Sequence, residues 1–297
     1  MKLPDNATLF VQSVNADSKK LIEHGLWDIR MSRLESWSKQ FIGPEEQFFA
    51  ACLLDQLIFR TQHQFEAGLR SLFRSNLNGE IFSGSQDLHL SQAIVGRADP
   101  VLRLVPVICE TDPPTKSGPL VLRRLQRILQ ANQKWMCWPW QVANEINDKG
   151  IRVVVFVDDF LGSGGQFVKF FKQWQFDENA DGVRYIYAPV VAHQQGIEHL
   201  AKELPTVCVV SAETLDHSHA FFSDAVWERL GRGCVTPIDA KEWYHDFVTQ
   251  RSIQPRQAGP LGCGDLALTL GFSHSTPNNS LPILWYETDD WQPLLER

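Results

Sequence analysis

The chain has 297 residues, 43% hydrophobic and 21% charged, with 28 basic against 35 acidic side chains for a net charge of −7. That composition excludes a disordered chain, and no apolar run reaches the ~18 residues that a membrane-spanning helix needs. The acidic balance disfavours direct nucleic-acid binding, because a protein that grips a phosphate backbone usually carries a positive footprint.

In chain order, the N-terminal third reads as helical. Residues 21–41 give amphipathic pieces around Trp27, Leu34 and Trp37. Pro44, Glu45 and Glu46 then open a helical run over 44–73, with proline in the first turn and acids at the positive end of the dipole. Residues 75–98 are polar and glycine-bearing and read as loop, which sets the expected division: a helical region over 1–95 and an α/β domain over 96–297, the two sharing one core. Residues 101–109 read as a buried strand, 120–129 as a basic helix carrying Arg123, Arg124 and Arg127, and 140–148 as a helix ending at Gly150. The strongest strand is Val153-Val154-Val155-Phe156-Val157, whose unbroken apolar run suits a parallel strand covered on both faces. A helix from about Gly164, strands at 183–191 and 207–210 with a helix between them, a mostly helical stretch over 214–260 and a late strand at 266–272 complete the pattern. Strand and helix alternate as in an α/β fold with a mainly parallel sheet flanked by helices.

The chemistry-bearing segment is 153–167, VVVFVDDFLGSGGQF. A buried strand ends in Asp158 and Asp159, followed by Gly162, Ser163, Gly164, Gly165 and Gln166 and then a helix. Ligands of open α/β sheets bind beyond the carboxyl ends of strands, and a small-residue loop at a helix N-terminus converges backbone N–H groups on a phosphate. The paired carboxylates would lie within reach of sugar hydroxyls and of a Mg²⁺ that a phosphate ligand brings along. A Walker A loop lacks its lysine here, and a GxGxxG fingerprint fails because Phe167 stands at the third glycine. A plain strand–turn–helix with solvated acids is the alternative.

This segment resembles the phosphoribosyl pyrophosphate (PRPP) motif of type I phosphoribosyltransferases, an apolar strand, two acids and a loop usually written TTGGT; glycine replaces the first threonine and Gln166 the last. The tail Thr276-Pro277-Asn278-Asn279-Ser280-Leu281-Pro282-Ile283-Leu284-Trp285 resembles the ending of a divergent phosphoribosyltransferase-like family of bacterial conflict and antiphage defence loci, with retron-associated members. Together with the helical N-terminus and the Lys116-Ser117-Gly118 loop, the likeness covers most of residues 20–290. It implies a type I phosphoribosyltransferase-like fold and a Mg²⁺-dependent transferase that binds PRPP or a related nucleotide; the cytoplasm is the compartment expected from the lack of a membrane-spanning run and from the scattered cysteines. It implies an effector role in antiviral defence, with a reverse transcriptase or non-coding RNA complex as partner in a retron. Asp158 and Asp159 would be the catalytic pair on the ribose hydroxyls, residues Gly162, Ser163, Gly164, Gly165 and Gln166 the 5′-phosphate loop, and Lys116, Ser117 and Gly118 the pyrophosphate loop, with Arg123 or Arg124 behind. A non-catalytic ligand sensor or protein-interaction module is the alternative, motivated by Gln166 and by the missing separate flexible loop.

Elsewhere the residues are less specific. His217 and His219 form an HxH pair without a third ligand at a supporting spacing, so an exposed turn is expected. His274 near the tail is read as a core or surface histidine. The six cysteines, Cys52, Cys109, Cys137, Cys208, Cys234 and Cys263, include no CxxC pair and read as reduced thiols. The ten tryptophans read as packing residues.

Overall fold

A β-branched apolar run is stable as a strand only where neighbours cover both of its faces, and 153–157 finds that place in the middle of a sheet. The computed structural model describes residues 1–77, 101–113, 115–179 and 182–297. Its strands, in chain order, are β1 (Ile58–Arg60), β2 (Leu102–Pro106), β3 (Val153–Leu161), β4 (Arg184–His193), β5 (Val207–Val209), β6 (Glu213–Leu215) and β7 (Leu270–Phe272). The main sheet has the order β2-β3-β4-β5, with β6 paired to the far end of β4, and all of these pairings are parallel. Register is set by Leu102 opposite Val153 and by Val157 opposite Ala188. Parallel neighbours need crossovers, which are supplied by the helices Ser117–Leu129 and Val142–Lys149 before β3, Gly165–Gln173 after it, and Gln194–Glu203 after β4.

Met1–His63 with Asp216–Arg297 make one compact unit and Gln64–Leu215 a second. In the second, Phe156 of β3 meets Phe167, Phe170 and Phe171 of the following helix with ring centroids 5.5, 5.4 and 6.1 Å away. Those rings pack with Val142, Ile146, Tyr185 and Leu200 in one buried cluster. The apolar periodicity of the helices is thus matched to one face of the sheet.

In the first unit, the helices Ala7–Glu23, Met31–Ser38 and Pro44–Asp55 bury Val14, Leu34, Trp37 and Phe49 in a cluster with Phe221, Trp227, Tyr244, Phe247 and Trp291. The apolar faces of these N-terminal helices are covered by the C-terminal part of the chain, within the span that the expected division assigned to the α/β domain. The boundary expected at residue 95, and residues 78–98 of the loop expected over 75–98, lie outside the described residues, while 75–77 are helical rather than loop. The helix expected over 44–73 is also broken. It stops at Asp55, and Ile58–Arg60 becomes β1, parallel to β7 with Ile58 opposite Leu270. The late strand expected over 266–272 shortens to Leu270–Phe272. Helical propensity yields here to backbone pairing with a strand remote in sequence. Among the described residues, no helix is long and apolar enough to cross a membrane.

Candidate functional site at the carboxyl end of β3

The carboxylates expected just past the strand lie inside it, because β3 continues to Leu161 and pairs Asp158 with Pro189. Both are buried, Asp158 at 3% and Asp159 at 9% exposure. Asp158 accepts a hydrogen bond from the Asp159 backbone N–H (3.0 Å, Oδ1) and from the Tyr187 hydroxyl (3.1 Å, Oδ2). Burial pushes the Asp158 carboxyl well above the usual carboxylate range; the adjacent Asp159 charge pushes the same way and the Lys116 ammonium opposes them. The Tyr187 hydroxyl is likewise raised, first by burial and then by Asp158. Its ring is held flat against Phe167, with centroids 3.8 Å apart and planes 13° apart. Phe167, the residue that spoils a dinucleotide fingerprint, therefore positions the tyrosine that engages Asp158. Tyr187 is absent from the sequence-derived site; the only signal for it is that Tyr185 and Tyr187 share one face of β4 by strand alternation.

The loop Gly162, Ser163, Gly164 leads directly into the helix Gly165–Gln173. Gly164 has φ +87°, a conformation that L side chains rarely adopt. Across from it, Gly196 of the helix Gln194–Glu203 approaches so closely that an added Cβ would run into the Gly162 carbonyl oxygen. The loop is thus wedged by backbone contact. Gly162 and Gly164 are buried, whereas Gly165 and Gln166 are exposed where the helix presents its first, intrahelically unbonded N–H groups. That is the arrangement of an anion site.

Lys116, Ser117 and Gly118 come to the same place. Lys116 precedes the helix Ser117–Leu129 in extended backbone, and the Ser117 hydroxyl donates to Asp159 Oδ1 at 3.1 Å. Gly118 lies against the Val107 backbone, where a Cβ would sit 2.5 Å from the carbonyl oxygen. The Lys116 ammonium is 3.7 Å from Asp112 Oδ1. Arg123 and Arg127 are exposed. Arg124, two helical turns beyond Ser117 on the same face, is half-buried, and its buried Nη1 has no hydrogen-bond partner among the described residues.

Among the described residues, no group of three or more His, Cys, Asp or Glu stands together. The donor set at β3 is therefore two carboxylates with part of their oxygens already bonded to Tyr187, Ser117 and a backbone N–H. That set fits a hard cation such as Mg²⁺ arriving with a phosphate ligand, because such an ion takes one or two carboxylates and fills its remaining positions with water and phosphate oxygen.

The remaining candidates are structural. His217 and His219 lie in a short turn that Asp216 caps, accepting from the Ser218 N–H at 2.9 Å and meeting His219 Nδ1 at 3.0 Å. The Ser218 hydroxyl and N–H, with His219, hold the Asp216 carboxyl down at about 2. His274 stacks on Phe272. The six cysteines stand outside any disulfide, and burial pushes the Cys137 thiol up to about 12, which leaves it unreactive. The tail motif is committed to holding its own unit. Thr276 Oγ1 donates to the Glu296 carbonyl (2.7 Å), Asn279 Nδ2 to Cys263 (2.6 Å), Ser280 Oγ to Leu270 (2.7 Å) and Trp285 Nε1 to Ser280 (2.8 Å).

The chain matches no curated protein. Among solved structures it is similar to the crystal structure of orotate phosphoribosyltransferase from Aeropyrum pernix, with 19% identity over 57% of this chain and 77% of that chain and a TM-score of 0.29. The PRTase-CE family model matches residues 34–297. With that span including both the acid-pair loop and the tail, the chain belongs to the PRTase-CE family, a phosphoribosyltransferase-like family of mixed α/β architecture.

Proposed function

We propose that this chain is a Mg²⁺-dependent phosphoribosyltransferase that binds PRPP or a related phosphoribosyl nucleotide and serves in the cytoplasm as an effector of bacterial antiphage defence. The observation that carries the chemistry is the convergence of the buried Asp158–Asp159 pair, the wedged 162–166 loop and Lys116-Ser117-Gly118 on one sheet end. The loop N–H groups and the helix dipole at Gly165 would take the 5′-phosphate. Asp158 and Asp159 would accept from the ribose 2′- and 3′-hydroxyls, and Lys116 with Ser117 would face the diphosphate. Bound Mg²⁺ would neutralise diphosphate charge, held by Asp158 and Asp159 together with phosphate oxygens. In transfer, the bond from the anomeric carbon to pyrophosphate breaks as the acceptor's lone pair forms a new one, with oxocarbenium character between. What the protein contributes to such a step is positioning and charge stabilisation.

Isothermal titration of PRPP with Mg²⁺ tests the reading. Wild type is expected to bind, and Asp158→Asn/Asp159→Asn to lose at least about 100-fold, the order expected for two charge-assisted hydrogen bonds. Equal binding by both proteins, or by neither, would overturn it. The defence role rests on the family likeness of the tail. It predicts that the same variant, expressed at wild-type level in its native locus with any reverse transcriptase or non-coding RNA partner, no longer reduces phage plating.

One observation favours a second reading. Asp158 is already engaged by Tyr187, and Gln166 stands where the motif has threonine, which suits a ligand sensor that binds without turnover. Mass spectrometry after incubation with PRPP and free bases separates the two: a new N-glycoside supports transfer, and tight binding with PRPP recovered intact supports sensing.

A further inference from the structure

The two acids of β3 are braced by hydroxyls of different origin. Ser117, which donates to Asp159, belongs to a loop already assigned to the ligand. Tyr187, which donates to Asp158, lies within the sheet. Register puts it there. Phe156 stands opposite Tyr187 across β3 and β4, and strand alternation returns Asp158, two residues on, to the face that carries both rings. Tyr187 is buried, and so is its bond to Asp158.

The terminal torsion of an aspartate is broad, so packing alone does not set the plane of its carboxylate. Asp158 is held at both oxygens, by the Asp159 N–H on Oδ1 at 3.0 Å and by the Tyr187 hydroxyl on Oδ2 at 3.1 Å. A carboxylate oxygen can accept two hydrogen bonds, so this brace orients the group without exhausting its lone pairs. The brace is itself fixed. The Tyr187 ring lies flat against Phe167, which packs edge-on against Phe156 at 5.5 Å and beside Phe170 at 5.7 Å. Phe167 is also the third residue of the helix Gly165–Gln173, directly after the glycine loop. One ring therefore joins the loop to the hydroxyl that orients the acid.

We propose that Tyr187 is a positioning residue for sugar recognition: its hydroxyl, clamped through Phe167, aims the Asp158 carboxylate at the hydroxyls of a ribose whose phosphate occupies the 162–166 loop. The inference rests on the reading of the acid pair as ribose ligands, and it holds whether or not transfer follows. A tyrosine that only supports the fold would affect every ligand of the loop alike. A positioning tyrosine acts where Asp158 acts and nowhere else.

The experiment is isothermal titration of inorganic phosphate and of ribose 5-phosphate into wild type, Tyr187→Phe, Asp158→Asn and the double variant. Phenylalanine keeps the ring and its stack on Phe167 and removes the hydroxyl. Wild type is expected to prefer ribose 5-phosphate to phosphate, and Asp158→Asn to lose most of that preference. Tyr187→Phe should lose about tenfold in ribose 5-phosphate affinity, the order of one hydrogen bond to a charged group, with phosphate binding unchanged, which also shows that the variant is folded. In the Asp158→Asn background, removing the hydroxyl should cost no more than about twofold, because the two groups act as one unit. If Tyr187→Phe keeps the wild-type preference while Asp158→Asn loses it, the proposal fails and the ribose reading stands. If phosphate affinity falls in step with ribose 5-phosphate affinity, or if the two substitutions add, the tyrosine serves the fold and the proposal fails. If wild type does not distinguish the two ligands, the acids are not ribose ligands, and the reading and the proposal fail together.

Discussion

In the unit of Met1–His63 and Asp216–Arg297, polar groups are turned inward to satisfy backbone. Trp37 and Trp291 both donate to the Ile283 carbonyl, at 3.2 and 3.1 Å, and Tyr244 donates to Pro260 at 2.7 Å. The tail asparagine, serine and threonine do the same. In Gln64–Leu215, besides an Arg103–Glu145 ion pair, two buried carboxyls stand side by side on β3, and burial followed by the Asp159 charge raises Asp158 against the opposing Lys116 ammonium. The first pattern builds an aromatic core whose irregular segments need hydrogen-bond acceptors and donors close by. The second is costly for folding and makes sense where a ligand supplies the missing charge. A buried polar side chain is therefore informative about function only after its partner is known.

The sharpest way to break that contrast is in the aromatic unit. Trp37→Ala should lose about 3–5 kcal/mol in denaturant unfolding, the cost of a vacated indole site, while Trp37→Phe should lose less and still strand the Ile283 carbonyl. A neutral result would show that the inward bonds are incidental. Next in size is Gly196→Ala in the sheet unit. Its Cβ has no room beside the Gly162 carbonyl, so a loss of about 1–3 kcal/mol is expected, together with weaker ribose 5-phosphate binding as the loop is displaced. Lost stability with unchanged binding would separate the loop from the phosphate.

The smallest effect has the opposite sign. Because Asp158 titrates higher in the folded chain than in the unfolded one, the folded state holds an extra proton between those two values. Stability therefore falls as pH rises through that window, and the penalty is absent below the ordinary carboxylate range. Asp158→Asn removes the titration and should raise the thermal midpoint near neutral pH by about 2–4 °C per kcal/mol gained, with the gain vanishing toward pH 4. A gain that persists at low pH would mean that packing, not charge, sets the difference.

Much of the site is legible in the sequence because its parts are covalent neighbours. The apolar run, both acids, the glycine loop and the helix after it occupy one continuous stretch, and each is a local signal: β-branched burial, charge at a strand's carboxyl end, glycine where backbone must turn. The helix Val142–Lys149 with its stop at Gly150 and the helix Gly165–Gln173 follow from the same periodicity. What the sequence does not carry is which distant segments meet. Tyr187 reaches Asp158 through the β3–β4 register, and Ser117 reaches Asp159 through helix packing. The division of the chain is of the same kind. Helical propensity runs through 44–73, but β1 breaks it to pair with β7, and the N-terminal helices find their cover beyond residue 216. By itself, then, the sequence determined the local elements and the one continuous loop of chemistry, because propensity, burial pattern and glycine placement act over a few residues. Only the tertiary structure decided the partners of the acids and the grouping of the units, because pairing and packing are settled between segments far apart in the chain.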